Sequence, residues 1–366
     1  MKRNYPVGIQ NFEDLRSRGY IYVDKTSLLY TMVQTGKYYF LSRPRRFGKS
    51  LMISTLEAYF LGKRELFKGL AMERLEKDWA VHPVLHMDLN TEKYDTEASL
   101  ENKLELTLKQ WEAEYGHNSD EYSVATRFEG VIRRAAKKMG QKVVILIDEY
   151  DKPMLQAITN PELQTKFRNT LKAFYGALKS CDGSIHFAML TGVTKFSQVS
   201  VFSGFNQPKD ISMDGRYEAL CGITQDEIDR YFPQPIADMA ADYRCTPGEM
   251  KQRLKLQYDG YHFSDRLTDV YNPFSLLNTF AKMRFGSYWF ETGTPTFLIE
   301  MLQRMDFSLN LLEKMEVKDE DFDKATEVIT DPIPVLYQSG YLTIKGYEPL
   351  FRTYTLGYPN EEVKIG

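Results

Sequence analysis

The chain has 366 residues, 43 % of them hydrophobic and 27 % charged, with 47 basic against 50 acidic residues and a net charge of −3. That length admits two or three domains and a sizeable core, and the near-neutral balance gives no overall attraction to nucleic acid. Three cysteines, Cys181, Cys221 and Cys245, are odd in number and too far apart for a short metal-ligand pair, which fits a reduced, cytoplasmic protein.

The opening stretch MKRNYPVGIQNFEDLRSRGY carries two basic residues but no apolar core of a signal peptide. No run approaches the ~20 apolar residues that cross a bilayer, so no membrane partner is expected. KYYFLS (37–42) predicts a short aromatic strand, and SRPRRFGKS follows it directly. After Lys49, apolar residues at Leu51, Ile53, Leu56, Tyr59 and Phe60 keep close to helical spacing. Pro83 precedes VLHMDLN, a second strand ending near Asp88, and residues 96–138 predict helix with a break at about Gly116–Ser119. VVILI (143–147), β-branched and without alternation, suits a strand buried on both faces of a parallel sheet. Residues 160–180 predict helix, and SIHFAMLTG (184–192) another central strand. Strand and helix alternating in this way predict an α/β domain with a parallel sheet over 1–222.

After Gly222 the character changes to helices and loops, a lid-like region over 223–300. Thr224 and Glu227 form a capping box at its start. In 301–366, IPVLYQSG predicts a short helix stopped by Gly340, and YLTIKGYEPLFRTYTLGY two strands joined by a turn, a winged-helix-like arrangement. The 24 Tyr and 22 Phe are ascribed to the core and to domain contacts, with base-stacking surfaces as the alternative. Of the five histidines only His82 and His86 are four apart, and Pro83 between them spoils the helix that would align them on a metal.

The chemistry begins at residues 43–51. A phosphate-binding loop reads Gly, four residues, Gly-Lys-Ser/Thr, but counting back from Gly48 places Arg43 where the first glycine belongs. A strand, a tight loop and a helix N-terminus gather backbone N–H groups around a polyphosphate, with the helix dipole adding positive potential. Arg43, Pro44, Arg45, Arg46, Phe47, Gly48, Lys49, Ser50 and Leu51 are the candidate nucleotide-binding residues. Lys49 would reach the outer phosphates, and Ser50 would ligate Mg²⁺. Positive φ at Arg43 would cost about 1 kcal/mol, which a fold absorbs. The competing reading is a solvated basic turn without ligand.

Asp148 and Glu149 decide between them, because they stand at the end of a buried strand, where open α/β sheets bind ligands. Asp148 is a candidate Mg²⁺ residue with Ser50, and Glu149 the candidate to activate water; Asp151 is assigned to a turn or cap. A strand lies between loop and acids, and NTPases with that insertion have the order 5-1-4-3-2. The comparison puts Thr191 at a neighbouring strand tip, as a candidate γ-phosphate sensor, with Lys195 a candidate contact.

These residues resemble the AAA-ATPase-like family, whose members are often fused to a PD-(D/E)XK nuclease-like module. The resemblance rests on FEDLRSRGYIYVDKT, FLSRPRRFGKSLMISTLEAYF, FKGL, VVILIDEYDKP, LTGVTKFSQVSVFSGFN, YDGYHF, VYNPFSLLN and LGYPNEEV, and covers most of the chain. In that family the Ser-Arg-Pro-Arg-Arg-Phe-Gly-Lys-Ser loop is usual, so the missing glycine is a family habit. By comparison with related ATPases, Tyr22 or Asp24 in YVDKT would touch the base, a turn being the alternative. Longer members place the nuclease-like module after LGYPNEEV, where this chain stops, and nuclease activity is not carried over. Glu316-Val317-Lys318 and Glu362-Val363-Lys364 spell a nuclease-like Glu-x-Lys but are assigned to solvated charge.

The resulting expectation is a Mg²⁺-dependent, ATP-binding P-loop ATPase acting as a switch. Glu149, Lys49, Arg46 and Thr191 are its catalytic candidates, with Arg45 beside Arg46 as a second group to stabilise transferring charge. The alternative is a nucleotide-responsive interaction module that positions a nuclease or nucleic acid through its C-terminal part. A homo-oligomer is compatible with either.

Overall fold

The five-residue apolar run 143–147 folds as an interior strand of a parallel sheet, each of its residues facing one of two hydrophobic layers. The structure is a computed structural model that describes residues 4–195, 201–202, 208–291, 296–305, 315–318 and 331–365. The strands of the main sheet are β1 (Tyr38–Ser42), β2 (Val84–Asp88), β3 (Val143–Asp148), β4 (Ile185–Gly192) and β5 (Lys209–Asp210). Their order is β2-β3-β4-β1-β5, which read from the other edge is 5-1-4-3-2. The sequence carries no pattern for a fifth strand, and the one found has only two residues, paired to Tyr39 and Phe40.

The helices of this part are α1 (Phe12–Ser17), α2 (Thr26–Thr35), α3 (Lys49–Phe60), α4 (Ala71–Leu75), α5 (Glu97–Tyr115), α6 (Val124–Met139), α7 (Lys152–Gln156) and α8 (Pro161–Ser180). Val143, Ile145 and Ile147 pack with residues of α5, α6 and α8, whereas Val144 and Leu146 pack with residues of α1, α2 and α3. Burial on both faces is why β3 shows no polar alternation. The helical break proposed at 116–119 is found between α5 and α6, where Gly116 takes φ 94.

Past Gly222 come α9 (Gln225–Tyr231), α10 (Pro233–Asp242), α11 (Pro247–Tyr258) and α12 (Pro273–Lys282). They share a hydrophobic cluster with Ile223, Tyr271 and, from the N-terminal segment, Tyr5, Ile21 and Val23. Thr224 and Glu227 make the expected capping box. α13 (Tyr288–Glu291) and α14 (Thr296–Arg304) lead to β6 (Met315–Lys318), α15 (Ile333–Gln338), β7 (Thr343–Glu348), β8 (Thr353–Gly357) and α16 (Glu361–Ile365). Helix, Gly340 at φ 90, and hairpin lie as the sequence indicated, and β6 adds an antiparallel third strand in the order β6-β8-β7. The further helices that a winged-helix assignment needs are not established among the described residues. Part of LTGVTKFSQVSVFSGFN also lies outside the described residues.

One assignment is overturned here. Glu316 is exposed on β6, but Glu362 is fully buried and so is not solvated charge. Its Oε1 accepts hydrogen bonds from Ser275 Oγ and the Trp289 backbone N–H, each at 2.9 Å. Burial pushes its carboxyl up to about 7. The reason is tertiary: α16 is folded back under the helical region, with Val363 joining the core beside the sheet.

Candidate nucleotide site

The site lies where β1, β3 and β4 end. β1 delivers the chain into residues 43–48, and Gly48 takes φ 95, a left-handed conformation that costs glycine little, before α3 starts at Lys49. The loop is held from several sides. The Arg43 N–H donates to Gly192 O at 3.1 Å, and the Gly222 N–H donates to Phe47 O at 3.1 Å. The Phe47 ring is buried edge-on against Tyr261 and Phe263, with centroids 4.8 and 5.5 Å away. Phe47 also lines an apolar cavity beside Gly48.

Arg43 is the largest correction at the loop. Its backbone is not among the positive-φ residues; the left-handed non-glycine position is Arg46, at φ 70. The Arg43 side chain turns into the interior, 1 % exposed, and donates from Nη1 to Ser42 O at 2.9 Å and Ser212 O at 2.6 Å. Its guanidinium lies 4.1 Å from the Phe263 ring centroid. The residue in the glycine position thus ties β1 to the segment after β5, and its charge is not presented to a ligand. Arg46 is exposed and rests on Phe274 at 4.7 Å. Arg45 is half-buried, and its carbonyl accepts from the Trp289 indole N–H at 3.3 Å. Pro44 is buried, whereas Gly48 is exposed and Ser50 and Leu51 half-buried at the start of α3.

Lys49 is 3 % exposed, and its Nζ donates to Arg43 O at 3.0 Å and Pro44 O at 3.4 Å. It also pairs with Glu149 Oε1 at 3.2 Å. The structure thus brings together the loop lysine and the acid at the tip of β3, residues a hundred positions apart. Glu149 stands just past the strand at φ 56, a conformation unfavourable for a residue with a Cβ. Burial raises its carboxyl to about 7; Lys49 pulls it down, while Asp148 and Asp151 push it up.

Asp148 is 3 % exposed and accepts the Thr191 hydroxyl and, at 3.1 Å, the Glu149 N–H. Thr191 is therefore committed to orienting Asp148. Asp151 occupies the N-cap position of α7 without capping it by its side chain. Its carboxylate instead accepts from the Val193 and Thr194 N–H groups and the Thr194 hydroxyl, fixing the turn after β4. Lys195 is 2 % exposed and paired with Asp210 at 2.7 Å. That partner holds it to the β5 side of the sheet.

Beside Gly48 opens an apolar cavity of about 90 Å³, lined among others by Pro6, Ile21, Val23, Leu51, Ile223 and Leu277. Tyr22 lines it too. Asp24 does not: its Oδ1 accepts from Thr26 N and Oγ1, and its Oδ2 from Ala71 N, so it organises the start of α2 and α4. Lys25, missed in the sequence, lines the cavity and is clamped by both oxygens of Glu227 at 2.6 Å. No sequence signal joins residues 202 positions apart. His82 stacks on His186 and His86 pairs with Glu57, so those two do not converge. Among the described residues no group of three or more His, Cys, Asp or Glu is arranged to hold a metal ion.

The family description "Predicted AAA-ATPase" matches residues 6–202, more than half of the chain, and spans both the loop and the acids. The chain belongs to the AAA-ATPase-like family. A protein of Azotobacter chroococcum mcd 1, described as "Uncharacterized protein in vnfD 5'region", is 39 % identical over 376 residues. That similarity covers 99 % of this chain and 69 % of the Azotobacter protein. It therefore extends across the helical region and the C-terminal hairpin, well beyond the part the family description matches. No helix among the described residues is long and apolar enough to cross a membrane.

Proposed function

We propose that this AAA-ATPase-like chain binds ATP with Mg²⁺ at residues 43–51 and hydrolyses it slowly, as a molecular switch. The observation that carries the reading is the Lys49–Glu149 pair, at 3.2 Å, at the joint of a glycine-opened helix N-terminus and the end of a buried strand. A buried lysine held by an acid and two loop carbonyls is a cation waiting for an anionic ligand.

In this reading the adenine enters the apolar cavity beside Gly48, and the phosphates lie along the loop amides with Lys49 on the outer ones. Ser50 and Asp148 supply the hard oxygen donors that suit Mg²⁺, which needs only one or two protein ligands beside waters and phosphates. When bound, Mg²⁺ neutralises charge on the phosphate oxygens. Thr191 keeps Asp148 aimed. Glu149, released from Lys49 as the phosphates take the lysine over, accepts a proton from the attacking water. While paired with Lys49 its carboxyl stands at about 7, in the range of a general base that works near neutral pH. Arg46, exposed at the loop's summit, is the loop's own candidate to meet transferring charge; Arg43 is not.

The test is equilibrium binding of MgATP to the wild type and to Lys49→Ala, with phosphate release read on the same samples. Binding lost in the variant, with slow release by the wild type, is the expected result. Absence of binding by the wild type would overturn the reading.

A further inference from the structure

The loop is touched by a residue that the nucleotide chemistry leaves unused. Trp289 is 2 % exposed, and its indole N–H donates to Arg45 O from 244 positions away. Its backbone N–H donates to Glu362 Oε1 at 2.9 Å, and that same oxygen takes the Ser275 hydroxyl at 2.9 Å. Its ring packs on Tyr341, with centroids 5.0 Å apart. Next to it, Gly340 lies so close to the loop that a Cβ there would meet Pro44 Cβ at 2.8 Å. Phe274 of VYNPFSLLN and the Gly340 turn also touch loop side chains, but the Trp289 indole holds a backbone carbonyl of the loop, and its own backbone N–H is bound to Glu362 of LGYPNEEV.

The peptide at that carbonyl is the one that most needs holding. Arg46 sits at φ 70, unfavourable for a residue with a Cβ, so the 45–46 peptide depends on its surroundings to hold it there. A trans peptide points its C=O and the following N–H to opposite sides. Holding Arg45 O toward Trp289 therefore turns the Arg46 N–H away from Trp289. A phosphate loop works by the direction of its N–H groups, so fixing one carbonyl selects one of two orientations for a phosphate donor.

Resting on the nucleotide reading above, we propose that Trp289 is a positioning residue for the phosphate loop, and that Glu362 sets Trp289. The C-terminal turn and the nucleotide site are then coupled in both directions: what loosens Glu362 weakens phosphate binding, and bound nucleotide tightens residues 358–365. Reciprocity of this kind is required of any coupling between two binding equilibria.

The experiment uses the full chain. Trp289→Phe keeps an aromatic ring but removes the donor together with part of the buried ring volume. It is expected to weaken MgATP binding about five- to tenfold and to lower the melting temperature by a few degrees through the lost packing. Glu362→Gln keeps an acceptor for Ser275 and Trp289 and should bind MgATP as the wild type does, whereas Glu362→Ala should follow Trp289→Phe. In the unmutated protein, the indole ¹H–¹⁵N signal that Trp289→Phe removes should shift on adding MgATP. Hydrogen exchange in 358–365 should slow on the same addition. A merely structural tryptophan moves neither. If the wild type binds MgATP and Lys49→Ala does not, yet Trp289→Phe binds normally and the indole signal stays put, the coupling is wrong while the nucleotide reading stands. Failure of the wild type to bind would overturn both.

Discussion

At the C-terminal edge of the parallel sheet every buried acid has a partner in place, whereas at the C-terminal turn the buried acids are left partly bare. Glu149 has Lys49, Asp148 has the Thr191 hydroxyl and a backbone N–H, and Asp151 has two N–H groups and a hydroxyl. In the other region Glu362 Oε2 and both carboxylate oxygens of Asp259 have no hydrogen-bond partner, and Asp259 has only Lys255 Nζ at 3.8 Å as a distant ion-pair partner. Burial raises the carboxyls of Asp259 and Glu362 to about 7 each, as it does Glu149. Similar pKa values thus arise from different circumstances. At the sheet edge the acid is balanced by a cation that a ligand can claim. At the turn the acid is favoured as the neutral carboxyl, and the gain is a fixed backbone contact instead of an exchangeable one.

The strongest way to break this comparison is Glu149→Gln. Neutral glutamine still fills the space and still accepts from Lys49, so MgATP binding should persist. Phosphate release should fall by about 10²–10⁴-fold with the base removed. Equal loss of binding and turnover would deny Glu149 its separate role. In the wild type the base works only when deprotonated, so kcat/KM should rise with pH through about 7 and level off above it. A flat profile would count against a general base with that pKa. Next in size is Lys49→Ala, which should weaken MgATP binding about 100-fold, the scale of a lost charge-assisted contact to phosphate. Unchanged affinity would end the phosphate assignment.

Arg43→Gly separates motif from structure. By pattern it restores the glycine of a standard loop, but in the fold it orphans the carbonyls of Ser42 and Ser212 and empties space beside Phe263. It should destabilise the protein by about 3 kcal/mol, read by chemical denaturation, and should not tighten MgATP binding. Tighter binding at unchanged stability would show that the arginine is a handicap to the loop and no strut.

What was legible from sequence follows the range of the cause. β1, β3, β4 and α3 were readable because their patterns are local: a β-branched run, a helical spacing, Gly-Lys-Ser after a strand. The Thr224–Glu227 box and the Gly340 stop were readable for the same reason. Arg43 misled because motif counting treats a side chain as pointing where its backbone is, and this one turns inward. Glu362 misled because Glu-Glu-Val-Lys looks solvated unless one knows that α16 is folded under Ser275 and Trp289. Trp289 with Arg45, and Lys25 with Glu227, are joined only by the tertiary fold. Local patterns located the proposed chemistry, and distant residues hold it still.

The smallest effect is the sharpest test of the turn. Glu362 has a folded pKa of about 7 against the ordinary carboxyl value of 4.5, so folding favours its proton. The native state then binds more protons than the unfolded chain between about pH 4.5 and 7. Its contribution is therefore most favourable below 4.5, falls across that window and is level above 7. The ceiling for a shift of that size is about 3 kcal/mol, and 1–2 kcal/mol is the expected part once the structure relaxes around the charge. Denaturation of the wild type and Glu362→Gln at pH 5 and pH 8 should show the variant losing about that much less between the two. Asp259, raised to the same value, remains in both proteins and cancels in the difference. Parallel losses would mean that Glu362 is not held as the neutral acid, and the contrast with the partnered acids of the sheet edge would dissolve.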